Sequence, residues 1–444
     1  MGKKDGIFAG AISATATSMK KSRKPLLSGG LALVMILGVS GWSFPSKAEK
    51  TQQLTILSQD GAGTPRGKLI VSIAKAFTKS TGIQVKVLAN GGTGGSNAKS
   101  FYESSVVAKK EADLVLVNLV AESTSWMKIK ATIPLTKYLK EWGLTKVFTP
   151  QSVVDWSVNG QLQAFPVLGF QWPVMYNMAL LEKAGIKTVP KTYDELVAAA
   201  TKLRAIGVAP LAVGGNDWSG AKLFFQVAQD YLPQSQAIEL FQKGGYCQNP
   251  RAMKGIDLFV KMRDAGVFVD NVQGLSSDNM SALYNAGKAA FIPQGSWAFT
   301  TVPAEIEKST AFGGLPVPAD GVFSKPTAFQ GTIGMGLWIS PNGAKKLDPI
   351  KKFVKFFFSP AVAASWLTKT GDLVDVKLSN AQLKKAPHLL QLGMKLPAIV
   401  NYAVLPDVYL PQKVGTAINP VSSLAFSSGT SSSQICGALD QLYK

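Results

Sequence analysis

The sequence predicts an α/β protein of two lobes, and three observations predict it. Its 444 residues, 46% of them hydrophobic, are more than one ordinary core holds. Short apolar strands alternate with amphipathic helices, the order that builds a mostly parallel sheet in each lobe. LVLVNL at 114–119 is apolar but for Asn118 near its end, as a strand buried on both faces requires.

LTIL at 54–57 reads as a strand, and Gln59 and Asp60 fall in the polar loop after it. Leu69, Ile73, Ala76 and Phe77 recur at helical spacing until Thr81-Gly82 closes the helix. IQVKVLA at 83–89 alternates as a strand and runs into the loop Asn90-Gly91-Gly92-Thr93-Gly94-Gly95. That loop lacks both the following Lys-Ser/Thr and a GxGxxG match, so it reads as a flexible or ligand-facing turn rather than a phosphate cradle. Ligands of such sheets bind beyond the carboxyl ends of the strands, which places Gln59, Asp60, Asn90, Asn118 and Glu122 near one rim.

A second set of elements follows. FPVLGFQWPVMYN at 165–177 reads as one long extended stretch, and Thr192 with Glu195 forms a capping box for the next helix. VAPLAVGG is a strand leading to Asn216, Asp217 and Trp218, with helices near 219–231 and 250–265. The strand AAFIP ends at Gln294-Gly295-Ser296-Trp297, and GTIGMGLWIS at 331–340 is again extended. Ile350, Phe353, Val354 and Phe357 mark an amphipathic helix, and a Ser-capped helix ends the chain.

The inventory excludes much chemistry. His388 is the one histidine, and Cys247 and Cys436 are the two cysteines. No HExxH, CxxC or Cys/His zinc pattern can be written, and no GxSxG partners His388. No catalytic residue, metal or cofactor is expected, and no acid pair suggests a glycosidase. The protein reads as a binder, not an enzyme.

Residues 1–48 differ in kind from the rest. Lys20, Lys21, Arg23 and Lys24 precede the apolar stretch 26–39, and small residues precede Ala48. This is the order of a secretory signal peptide cut after Ala48, with Met19 as an alternative start and an uncleaved anchor as the other reading. Export permits a Cys247–Cys436 disulfide. Removing 1–48 takes the formal charge from +20 to +14, because the segment holds seven Lys/Arg and one Asp. The remaining lysines are scattered, which fits solubility or an anionic surface better than nucleic acid.

Several of these stretches together resemble the family 1 extracellular solute-binding proteins, the maltose-binding-protein-like group. LTILSQDGAG, IAKAFTKSTGIQVKV and ADLVLVN are similar to that family's opening. FPVLGFQWPVMYNMALLEKAGIKTVPKTYDELVAAATKLRAIGVAPLAVGG resembles its middle signature, with Met178 where a lysine is usual. GKAAFIPQGSWAFT resembles its "GkaAm–GsW" segment. GLWISPNGAKKLDPIKKFVKFFFSPAVAASWLTKTGDLV resembles its later strand and helices, with Val374-Asp375 where proline is frequent. The resemblance covers nearly all of 52–444. It implies a periplasmic-binding-protein fold: two α/β lobes, hinge crossovers, a cleft that closes on a small ligand, and delivery to an ABC importer. The lobes would be discontinuous, with 49–168 and 334–370 in the first and 169–333 and most of 371–444 in the second. A periplasmic monomer that binds a sugar or oligosaccharide and docks on importer permease subunits is implied.

Sugar binding has its own physical rationale. A pyranose offers an apolar C–H face and a rim of hydroxyls, so it calls for a flat aromatic ring edged by hydrogen-bonding side chains. Trp297 falls where the family motif carries a cleft-facing Trp, and Trp218 and Trp172 sit beside small or polar residues in the same manner. Trp126 follows AESTS and reads equally as a helix cap, and Tyr409 lies where relatives often add an aromatic. Gln59, Asp60, Asn90, Asn118, Glu122, Asn216 and Asp217 are the candidate polar rim. The competing ligands are an organic phosphate or a polyamine in the same fold, and the competing role is a ligand-sensing subunit.

Overall fold

The computed structural model describes residues 53–89, 96–118 and 123–444. The expected signal peptide, its expected cut after Ala48 and the candidates Asn90 and Glu122 lie outside the described residues.

The chain opens with β1 (Gln53–Ser58), α1 (Pro65–Thr81), β2 (Gln84–Ala89), α2 (Ser96–Val107) and β3 (Leu114–Val117). Each boundary has a local cause. The Thr64 hydroxyl accepts the Gly67 N–H at 3.0 Å, Pro65 opens α1, and Gly82 closes it in the left-handed region at φ 75°. The four residues of β3 are all buried, the pattern of a strand covered on both faces.

β4 (Phe165–Trp172) and β5 (Val174–Asn177) follow, interrupted by Pro173, which cannot donate to a ladder. Then come α3 (Tyr193–Ala205), β6 (Ala209–Leu211), α4 (Trp218–Ala228), α5 (Pro250–Asp264), β7 (Ala289–Pro293) and β8 (Thr310–Gly313). The Thr192–Glu195 capping box on α3 is formed in both directions. β9 (Thr327–Ile339), α6 (Leu347–Phe357), α7 (Pro360–Thr370), β10 (Asn401–Tyr402), α8 (Pro406–Tyr409), α9 (Gln412–Ser423) and α10 (Ser432–Gln441) complete the chain.

Two main sheets and two large cores result, beside a two-stranded ribbon of Ser157–Val158 and Gln161–Leu162. The first sheet runs β10-β9-β3-β1-β2, with β4 also paired to β9, and the second runs β8-β5-β7-β6. One core gathers residues of 54–172 and 329–366 with Val376, Ala403 and Leu405, the other residues of 174–315 and most of the buried residues after 366. The extended stretch 165–177 therefore changes sheet at Pro173, and β9 enters the first sheet at Thr327, where the sequence reading had divided the lobes at 168/169 and 333/334.

Strand direction corrects one expectation. β1 pairs in parallel with β2 and β3, but the second sheet is mixed, with β5 antiparallel to both β7 and β8. A strand that enters a lobe from the junction runs against strands whose carboxyl ends face that junction. β5 enters the second lobe this way and β9 the first, where β9 is antiparallel to β3 and β4. Parallel pairing would need a further crossover at each entry.

The cysteines are joined. Cys247 and Cys436 form a disulfide with a Cα–Cα distance of 5.1 Å, fastening α10 to the second lobe.

Candidate functional site

Three predicted tryptophans meet where the two sheets meet. Trp172 ends β4, Trp218 opens α4, and Trp297 lies in the 3-10 turn Ser296–Thr301 after β7. Ring centroids are 5.1 Å apart for Trp172–Trp218, 5.9 Å for Trp172–Trp297 and 5.8 Å for Trp218–Trp297. Phe170, two residues before Trp172 on the same face of β4, adds a ring 5.7 Å from Trp297. The contacts are edge-on or tilted, so no two of these rings stack face to face.

Exposure divides the three. Trp172 is fully buried, and its indole Nε1 meets no acceptor among the described residues. Trp218 and Trp297 are half-buried and pack on the first-lobe core from the second lobe. The Ser296 hydroxyl accepts the Gln171 N–H at 3.3 Å, pinning the Trp297 turn to the crossing strand.

A lysine stands among the rings. Lys222 of α4 holds its Nζ 5.1 Å from the Phe170 centroid, 5.0 Å from Trp172 and 5.8 Å from Trp218. Its side chain is 9% exposed and is paired at 3.1 Å with Asp407 of α8, which is 44% exposed. The ring quadrupoles and one carboxylate compensate an ammonium that water barely reaches. Neither residue was among the sequence candidates. The signal for Lys222 was present: it is the one charge in the apolar helix WSGAKLFFQVA.

The first-lobe rim is built around an arginine. The Arg66 guanidinium grips Asp372 with both branches, Nε donating at 2.9 Å to Oδ2 and Nη2 to Oδ1. Asp60 lies beside this pair with its Oδ2 buried and unpartnered, and burial pushes its carboxyl above the usual range against the opposing charge of Arg66. Thr300 donates to the Thr370 carbonyl at 3.4 Å, so the segment carrying Asp372 touches the turn that carries Trp297.

The remaining candidates divide by what their polar atoms already do. The Gln59 Oε1 accepts the Asn118 N–H at 2.9 Å, tying together the ends of β1 and β3, and Asn118 is exposed. Asp217 caps α4 through the Ser219 N–H at 2.9 Å, and its second oxygen accepts the Ser277 N–H at 2.6 Å. Its neighbour Asn216 is exposed. Tyr409 lines a cavity of about 440 Å³ with Asp155, Gln229, Thr332 and Leu405, drawn from both lobes. Phe170 lies on Gly331, which lines the same cavity. Trp126 belongs elsewhere: it is fully buried in the first-lobe core against Tyr102 and Trp338, and its Nε1 donates to Glu103 at 2.9 Å. The apolar neighbours that settle its place are distant in sequence, so AESTSW could not show it.

Among the described residues no group of three or more His, Cys, Asp or Glu side chains is placed to hold a metal ion. No helix among them is long and apolar enough to cross a membrane.

Comparison with known proteins agrees with this anatomy. The family model for bacterial extracellular solute-binding proteins matches residues 61–364. An ABC transporter extracellular-binding protein of Pyrococcus horikoshii is 30% identical over 76% of this chain and 76% of its own. A protein of Brucella suis named as a probable sugar-binding periplasmic protein is 26% identical over 63% of this chain and 65% of its own. The crystal structure of a probable secreted solute-binding lipoprotein from Streptomyces coelicolor superposes with a TM-score of 0.76 at 35% identity, covering 88% of this chain and 98% of that one. By the family match and the Pyrococcus relative, the chain belongs to the bacterial extracellular solute-binding proteins.

Proposed function

We propose that this chain captures a sugar or short oligosaccharide between its lobes, outside the cytoplasm, and passes it to the permease subunits of an ABC importer. The observation that carries the reading is the pair of half-buried indoles, Trp218 and Trp297, braced against buried Trp172 at the junction of the lobes. Covering about 80–100 Å² of apolar sugar surface on such a ring contributes about 2–2.5 kcal/mol. That is a large part of the roughly −8 kcal/mol of a micromolar complex. The name of the Brucella relative points to the same ligand class. The chain binds without chemistry, acts as a monomer, and reaches its compartment by losing residues 1–48.

A phosphorylated small molecule is the second reading, favoured by the Lys222 ammonium among the rings. A thermal-shift panel decides between them. Neutral mono- and oligosaccharides are expected to raise the melting temperature, since a ligand at about 100 times its Kd adds about 2.7 kcal/mol to stability. A rise with phosphorylated compounds alone overturns the sugar reading.

A further inference from the structure

The positive charge of the chain is organised into a face. On α1, Lys68, Lys75 and Lys79 follow one another at i, i+7 and i+11, which keeps them within about 40° of one another around the helix. They lie opposite the buried side of that helix, Leu69, Ile70, Ile73 and Phe77. On α6, Lys351, Lys352 and Lys355 lie opposite buried Ile350, Phe353, Val354 and Phe357 in the same way. The two helices are neighbours, since Phe77 of α1 meets Phe353 at 5.2 Å and Phe356 at 5.6 Å. Their lysine stripes therefore share one outer layer of the first lobe.

On these two helices a single acid, Asp348, accompanies the six lysines. α1 contains no Asp or Glu, and α6 contains only Asp348. None of the six lysines forms an ion pair among the described residues. Helices of the second lobe are mixed instead: α3 sets Asp194 and Glu195 against Lys202 and Arg204, and α5 carries Asp257 and Asp264 among its basic residues. Solubility alone would not sort the charges by lobe.

We propose that this face rests on an anionic phospholipid surface. A specific protein interface would require an apolar centre with aromatic or arginine anchors. None of the large exposed hydrophobic side chains lies on α1 or α6, and the cations of the stripes are all lysines. Six flexible point charges spread over two neighbouring helices suit a field of phosphodiester headgroups that is spread out rather than focused. α1, at about 25 Å long, spans several headgroups. Adsorption of this kind is reversible and fades with salt as the screening length shrinks. It would hold the protein at the membrane with the second lobe turned away. The inference stands apart from the identity of the ligand.

Vesicle sedimentation with the full chain tests it. Vesicles of phosphatidylcholine with about one-third phosphatidylglycerol are compared with pure phosphatidylcholine, which reads any anchoring by the apolar N-terminal stretch. The wild type is expected to bind the anionic vesicles more tightly at about 0.05 M salt and to lose that excess near 0.5 M. Replacing Lys68, Lys75, Lys79, Lys351, Lys352 and Lys355 by Gln is expected to lower partitioning at least a hundredfold, given about fivefold per lysine. Gln at six exposed second-lobe lysines (183, 187, 191, 202, 261 and 288) removes the same charge and should change it by less than about tenfold. Equal losses in the two variants, or equal binding to both kinds of vesicle, overturn the proposal. So does capture of the chain by an acidic protein without any lipid binding. Both variants keep the basic cluster Lys20, Lys21, Arg23 and Lys24, so their difference reads the face alone; where the sixfold variant folds poorly, the triple variants of α1 and of α6 are each expected to lose at least about tenfold.

Discussion

The indole of Trp297 folds back over Gly295, so that a Cβ at residue 295 would stand 2.3 Å from two of its ring carbons. The φ of Gly295 is −75°, an ordinary value, so the position needs glycine for space and not for backbone freedom. Gly295→Ala is therefore expected to push the ring off its present seat while the half-exposed turn absorbs the shift. Tryptophan emission should change and ligand affinity should fall about tenfold, or about 1.4 kcal/mol. Unchanged emission and affinity would show that the ring's seat is immaterial.

Trp172 and Trp297 belong to one cluster but should fail differently. Trp172 is 1% exposed, and its removal opens a cavity between the lobes costing about 3–5 kcal/mol of stability. Trp297→Ala removes a half-buried ring and should cost clearly less stability, with a tenfold or greater loss of ligand affinity. Denaturant titration and calorimetry on the two variants check this. If Trp297→Ala destabilises as strongly as Trp172→Ala, the ring is core and not site.

Lys222 and Asp407 offer a test of sign. Asp407→Asn leaves a nearly buried ammonium without its counter-charge, while Lys222→Met leaves a carboxylate that is 44% exposed and can hydrate. The first variant should therefore lose more stability, about 1–2 kcal/mol after discounting for that exposure. The second should sit close to wild type, because methionine fills the same space beside the aromatic rings. Equal losses would mean that the pair contributes through packing alone.

The legible parts of this molecule are those set by local pattern. The β1–α1–β2 order, the Thr192–Glu195 box and the apolar face of α6 follow from spacing within a dozen residues, and all three stand in the structure. The meeting of Trp172, Trp218 and Trp297 could be suspected from the company each keeps, small or polar neighbours beside a large ring. Long-range pairings were not legible. Asp407 lies 185 residues from Lys222, and Asp372 lies 306 residues from Arg66. Nothing near Trp126 tells that Tyr102 and Trp338 enclose it. The mixed second sheet escaped the sequence because a strand's direction depends on which side it enters from, and residue type does not record that.

Asp230 should give stability a pH dependence. Both of its carboxylate oxygens are buried without partners, and burial pushes its carboxyl well above the ordinary range. Below the unfolded value near pH 4 both states hold the proton, and nothing is lost. As pH rises toward the folded value, the unfolded chain releases its proton first, so stability falls. Asp230→Asn cannot ionise and should lack that slope. Denaturant midpoints at pH 4, 6 and 8 should show the wild type losing ground to the variant as pH rises, and a constant difference would remove Asp230 as the cause.

The disulfide and Asp440 hold the same junction and should prove coupled. Cys247 and Cys436 lie 189 residues apart, and closing so long a loop contributes about 5 kcal/mol in the chain-entropy model. Four residues after Cys436, the Asp440 carboxylate accepts the N–H groups of Gly245 and Tyr246 at 2.8 Å each and of Cys247 at 3.1 Å. With the bridge intact, the 245–247 loop stays beside α10 even when the carboxylate is lost. Asp440→Asn should then cost about 1 kcal/mol. With the bridge reduced, those hydrogen bonds become the main tie between loop and helix, and the same substitution should cost clearly more. A double-mutant cycle across reduced and oxidised protein measures the difference directly. If the two effects simply add, the helix is held by its apolar face, Ile435 and Leu439, and Asp440 does no more than satisfy three amides.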